Sequence, residues 1–225
     1  MNQIPLTFQP LNSMKKIFFL LFLVILLSFL SFQFSWLGYL LLFIIFLTLA
    51  FLLIMGIISI FRQTNKQLFK VSLLILLICI SGVITSLFIP YDAAIINSGS
   101  LSEKLEYAYK TDQSDRKALR SFVDFSNKVA ERDSLRREQL RKIYRKQEID
   151  HSIDKFHAAF IFHHSNNSKD FEIASRLASQ AAGDPKLKDH YTVQWLHKAA
   201  YDRWMVSIGK PEKYNTQNKL SIEFD

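Results

Sequence analysis

Only one cysteine, Cys79, occurs in 225 residues, which excludes a disulfide framework and any CxxC motif. Six glycines leave little room for a glycine-rich phosphate loop and exclude a collagen-like repeat. The most telling absence is of acid: no Asp or Glu precedes Asp92. Before that point the charges are Lys15, Lys16, Arg62, Lys66 and Lys70, all positive. The rest of the chain holds 23 of the 28 basic residues and all 20 acidic ones, so the net charge of +8 divides into +5 and +3. Hydrophobic residues make up 49% of the chain and charged residues 21%, yet the two groups barely overlap. Such segregation excludes a single water-soluble globule and a disordered chain. It leaves a membrane-embedded N-terminal part and a water-soluble C-terminal part.

Three apolar runs free of Lys, Arg, Asp and Glu fill the first part: Ile17–Phe34, Trp36–Ile60 and Val71–Ile89. A helix needs about 20 apolar residues to cross a hydrocarbon layer of ~30 Å. The second run is ample, the third sufficient, and the first slightly short unless Gln33 and Ser35 sit at the interface. Lys15 and Lys16 give the first run the look of a signal peptide, but no small-residue cleavage site follows it, and it is read as a retained span. Three transmembrane helices over residues 17–90 are therefore expected, after a short cytoplasmic tail, residues 1–16.

Cations predict the orientation. Lys15 and Lys16 precede the first span, and Arg62, Lys66 and Lys70 fill the loop between the second and third. The loop around Gln33 to Gly38 has none. Since positive loops stay cytoplasmic, the N-terminus is expected inside and residues 91–225 outside the cytoplasmic (inner) membrane. Trp36, Tyr39 and Tyr91 suit the aromatic belt at the interface. The spans carry no ionisable residue that would mark a transport path, so they read as an anchor.

The second part reads as all-α. A short helix is expected up to Tyr109, a break at Asp112–Ser114, and a helix starting at Ser114–Asp115. Leu119, Phe122, Val123, Phe125, Val129, Leu135, Leu140, Ile143 and Tyr144 then recur at helical spacing over about 30 residues. The stretch Arg132–Lys146 holds seven cations: Arg132, Arg136, Arg137, Arg141, Lys142, Arg145 and Lys146. They read as a solvated face balanced by Glu131, Asp133, Glu138 and Glu148, with lipid headgroup contact as the alternative and no nucleic acid. A helix to His164, a turn at Asn166-Asn167, and a partner from Ser168 to Gly183 form an α-hairpin. A last helix spans about Leu187 to Ile208 and stops at Gly209-Lys210-Pro211. This soluble helical domain is repeat-like in the style of tetratricopeptide hairpins, with one unit and a half.

All six histidines lie between 151 and 197, and His157/His164 and His190/His197 are each seven apart. Seven residues along one helix separate side chains by about 10 Å, too far to share an ion. No metal and no cofactor is expected. Asp202-Arg203 on the last helix reads first as a helix-stabilising or inter-helix salt bridge, with an ion pair that orients other groups as the alternative.

The segment at 199–217 runs Ala-Ala-Tyr-Asp-Arg-Trp-Met-Val-Ser-Ile-Gly-Lys-Pro-Glu-Lys-Tyr-Asn-Thr-Gln. With the helix ending at His163-His164, it resembles a bacterial domain-of-unknown-function family. Members of that family carry a Gln-His helix, an Asp-Arg helix and a terminal Gly-x-Pro-Gln-x-Tyr-Gly-Thr-Gln motif. His164 falls on the family's His, with His163 in the Gln place. Asp202 and Arg203 fall on the Asp-Arg pair, and Gly209, Pro211, Tyr214, Thr216 and Gln217 on the terminal motif. Glu212 stands where the family has Gln, and Asn215 where it has Gly, a change that a left-handed residue tolerates in Asn. The likeness covers about 133–217 and implies a common helical fold, with no assigned activity.

Physically, the motif reads as a strap folded back on helices, held by Pro211, Tyr214, Thr216 and Gln217. The alternative is a pocket in which His164, Asp202, Arg203 and Gln217 converge. The leading expectation is a membrane-tethered binding or interaction module recognising a peptide, protein or envelope component. A hydrolase with His164 as general base and Asp202 or Glu212 as orienter is second. An accessory subunit whose spans pack on another membrane protein is third.

Overall fold

The computed structural model describes residues 10–123, 127–146 and 149–217. Phe125, Glu148 and the chain before Pro10 and after Gln217, which figure in the sequence reading, lie outside them. All regular structure among the described residues is helical: eight α-helices, two short 3-10 turns and no strand. The chain divides into two compact units. One contains the described residues to Pro90 together with Ala118–Val123, and the other contains Tyr91–Lys117 and the described residues from 127 on.

The first unit consists of α1 (Pro10–Gln33), α2 (Ser35–Phe61), α3 (Lys66–Leu87) and a 3-10 turn at Leu119–Val123. Asn65 starts α3 by accepting the Gln67 N–H at 2.9 Å. Two helices, α2 and α3, are long and apolar enough to cross a membrane. This differs from the three spans expected. The described apolar part of α1 is 17 residues, Ile17–Gln33, about 25 Å at 1.5 Å per residue. The helices meet through Leu37, Leu41 and Cys79, with Leu30, Ile44, Ile45 and Val83 around them. Gly82 permits the closest approach, since a Cβ there would lie 2.5 Å from a Leu41 methyl. Thr48, Ser81, Thr85 and Ser86 each donate their hydroxyl to a carbonyl three or four residues back in their own helix. That satisfies the polar groups of an apolar helix without an outside partner.

The second unit consists of α4 (Leu101–Lys117), α5 (Lys128–Lys146), α6 (Ser152–His163), α7 (Ser168–Ala182) and α8 (Tyr191–Ser207). α6 is the central element: Phe156 and every residue from 158 to 162 is at most 3% exposed. It has helical contacts with α4, α5, α7 and α8. Tyr109 of α4 meets Phe156 and Phe160 edge-on, each with centroids 5.2 Å apart. Ala174, Ala178 and Ala181 on α7, and Ala199 and Ala200 on α8, are at most 1% exposed. Such small residues let helices approach closely while the Phe rings fill the remaining space.

The hairpin of α6 and α7 follows the sequence expectation with one change. The cap of α7 is Asn167, which accepts the Asp170 N–H at 3.0 Å, rather than Ser168. Three further boundaries differ. α4 runs unbroken through Asp112–Ser114, because Asp112 and Asp115 turn inward instead of facing water. The expected long helix over Leu119–Tyr144 is split, with Leu119–Val123 in the first unit. α8 begins at Tyr191, after a 3-10 turn at Pro185–Leu187 capped by Asp184.

Candidate functional site

Asp202 projects from α8 with no exposed surface. A buried carboxylate is very costly unless donors surround it. Here the strap after α8 provides them. One Asp202 oxygen accepts the backbone N–H of Lys213 at 2.8 Å, and both lie within 3.1 Å of the Tyr214 N–H. The other accepts the Thr216 N–H at 3.0 Å and its hydroxyl at 2.8 Å. Two left-handed residues shape the strap, Gly209 at φ +71° and Asn215 at φ +57°. Burial opposes ionisation of Asp202, but the N–H groups of Tyr214, Thr216 and Lys213 outweigh it and lower its pKa.

The neighbouring Arg203 donates Nη1 to the His163 carbonyl at 2.9 Å and Nε to the Gln217 side chain at 3.1 Å. Gln217 returns its amide to the Ala199 carbonyl at 3.1 Å and its N–H to Glu212 at 2.8 Å. Tyr214 lies edge-on to Tyr201, centroids 5.8 Å apart. Pro211 is exposed. Asp202, Arg203, Glu212, Thr216 and Gln217 are thus brought together as one hydrogen-bonded strap.

His164 is not part of that set. Its Nδ1 lies 3.1 Å from a carboxylate oxygen of Asp112 on α4. Asp112 in turn belongs to a buried network of three acids and three arginines. Arg116 bridges Asp112 at 3.1 Å and Asp133 at 2.6 Å. Arg136, whose side chain is fully buried, joins Asp133 at 3.1 Å, Asp115, and the Thr111 hydroxyl at 3.3 Å. Arg132 meets Asp115 at 2.6 Å and the Asp92 carbonyl at 2.6 Å. Burial would raise the Asp112 pKa, but His164 and Arg116 beside it hold it well below the carboxylate range. At Asp133 burial prevails and raises it.

The seven-cation stretch of α5 is therefore only partly a solvated face. Arg132 and Arg136 turn inward, Arg137 reaches the His164 carbonyl at 3.1 Å, and Arg141 pairs with the largely buried Asp170 at 2.5 Å. Lys142 keeps the expected helical partner Glu138 at 2.7 Å. The sequence reading missed Asp112, Asp115, Arg116 and Arg136 as one cluster. The available signal was the matched spacing of Asp112/Asp115/Arg116 and Arg132/Asp133/Arg136, acids and bases repeating on one face of each helix.

His163 is 3% exposed, and its Nδ1 has no hydrogen-bond partner. Burial first, then Arg203, holds its pKa well below the ordinary 6.5. The unfolded chain takes up this proton at higher pH than the folded one, so the stability it supports is complete above pH 6.5 and falls as acid is added. The thermal midpoint should decline below that pH. His163→Leu should reduce the slope by up to about 1.4 kcal/mol per pH unit. Among the described residues, no group of three or more His, Cys, Asp or Glu is arranged to hold a metal ion.

No protein-family model matches the chain, and neither a curated protein nor a solved structure shows significant similarity to it.

Proposed function

We propose that this chain is a multi-pass inner-membrane protein that presents a helical binding module on the extracytoplasmic side. The observation that carries the reading is α2. It has 27 residues and no charge, and it buries only Leu37, Gly38 and Leu41. Ile60 and Phe61 are 75% and 81% exposed, an arrangement suited to lipid rather than water. α1 packs against α3 and supplies the first of three spans, with Lys15 near its start. Arg62, Lys66 and Lys70 then fix the α2–α3 loop in the cytoplasm, and the odd number of crossings carries the helical unit outside.

The binding role rests on how the strap spends its chemistry. Asp202 and Arg203 are taken up in holding residues 213–217, which leaves the helical surfaces for a partner in the membrane or envelope. The left-handed Asn215, where the resembling family has Gly, supports the same turn and a common helical fold over 133–217. A dual reporter fused after Asp225 tests the topology. Alkaline phosphatase activity without fluorescence from a cytoplasm-only reporter is expected. The reverse pattern overturns the reading.

A membrane-anchored hydrolase is the second reading, favoured by the 3.1 Å approach of His164 Nδ1 to Asp112. A buried carboxylate on Nδ1 orients an imidazole for general base work. In this form Asp112 replaces Asp202 or Glu212 as the orienting group. It requires hydrolytic activity in the purified chain that His164→Gln abolishes while the thermal midpoint is retained.

A further inference from the structure

Five of the seven cations between Arg132 and Lys146 have carboxylate or carbonyl partners. Arg145 and Lys146, in the last turn of α5, are exposed and have no carboxylate within 4 Å among the described residues. They border a cavity of about 560 Å³ whose other charged lining residues are Lys155 of α6 and Arg176 of α7. No acidic residue lines it among those described. Arg176 is held toward it by a neutral partner, donating to the Tyr144 hydroxyl with its guanidinium 5.8 Å from that ring. Ile149 and Leu177, both buried, make an apolar floor.

Three helices thus converge four positive charges on one concavity. Mutual repulsion of such a set is relieved by a bound anion of matching charge. The volume is in the range of small-ligand sites, larger than a bare inorganic ion requires. Arginine forks match phosphate oxygens bidentately, lysines add point charge, and Tyr144 with the apolar floor suits the body to which a phosphate is attached. We propose that this cavity binds a phosphate-bearing anionic group of small-molecule size. A lipid headgroup and a soluble phosphate ester share that chemistry. The site does not depend on which side of the membrane the helical unit occupies.

The full chain in phosphatidylcholine nanodiscs is titrated with inorganic pyrophosphate by calorimetry, and hydrogen exchange is followed over residues 143–156 and 173–180. A second arm replaces part of the phosphatidylcholine with phosphatidylglycerol. New protection on adding pyrophosphate identifies the soluble source, and new protection with phosphatidylglycerol identifies the headgroup. In either arm Lys155→Gln with Arg176→Gln should weaken binding at least about tenfold. Arg145→Gln with Lys146→Gln, at the helix end, should do the same, so that a folding defect in one pair does not decide the result. Lys142→Gln, which removes a paired cation on the same helix, should leave binding unchanged. Absence of protection in both arms overturns the proposal, as does binding that survives both double substitutions.

Discussion

Asp202→Ala is expected to destabilise the helical unit by about 3–5 kcal/mol, among the largest effects of any single change. The substitution leaves the N–H groups of Lys213, Tyr214 and Thr216 and the Thr216 hydroxyl without their acceptor. Each unsatisfied donor costs on the order of 1–3 kcal/mol when it stays buried, and release of the strap to water limits the sum. Denaturant unfolding gives the energy, and hydrogen exchange gives the place. Protection at residues 213–217 should vanish before the rest of the unit opens. Asp202→Asn retains an acceptor but loses the charge and should fall between the two. A strap that keeps its protection in Asp202→Ala would refute the role assigned to the carboxylate.

Arg136→Met should be comparably damaging, about 3–5 kcal/mol, because it breaks two buried ion pairs and leaves three carboxylates to share Arg116 and Arg132. Arg136 is the member of the network with no exposed side-chain surface, and it contacts Asp115 and Asp133. The volume is nearly conserved by methionine, so the loss reports charge rather than a cavity. Adding Asp115→Asn to Arg136→Met should restore part of the stability, since the remaining carboxylates and arginines of the network are then again equal in number. Lys142→Met, which breaks an exposed pair on the same helix, should change stability by less than about 0.5 kcal/mol. Equal effects from Arg136 and Lys142 would show that the buried network contributes nothing particular.

These two sites mark the boundary of what the sequence discloses. The apolar runs are legible because a long stretch without ionisable residues stands out in composition, and two of them form helices long and apolar enough to cross a membrane. The α6–α7 hairpin is legible because Asn167, Asp170 and Gly183 are local signals at its ends. The strap is legible as a motif, and its two left-handed positions fall on Gly209 and Asn215. The continuity of α4 is not legible. Asp112, Gln113 and Ser114 have the composition of a turn, but Asp112 pairs with Arg116 one turn on in α4 and with Arg136 and His164 from other segments, and the helix is continuous there. The split before α5 is hidden for the converse reason. Leu119, Phe122 and Val123 keep a helical rhythm but belong to the first unit rather than to α5. The apolar length of α1 was marginal in the sequence and remains below that of α2 and α3.

The strap also has a consequence for turnover. The donors that quench the Asp202 charge come from residues 213–217, eleven or more positions later in synthesis. A polypeptide nicked or terminated ahead of Lys213 would therefore retain every described helix but carry a carboxylate without its donors on α8. Such a product would breathe open far more often than the intact form, and housekeeping proteases sample open states. The strap's hydrogen bonds would thus make the survival of α8 depend on residues that follow it in the chain.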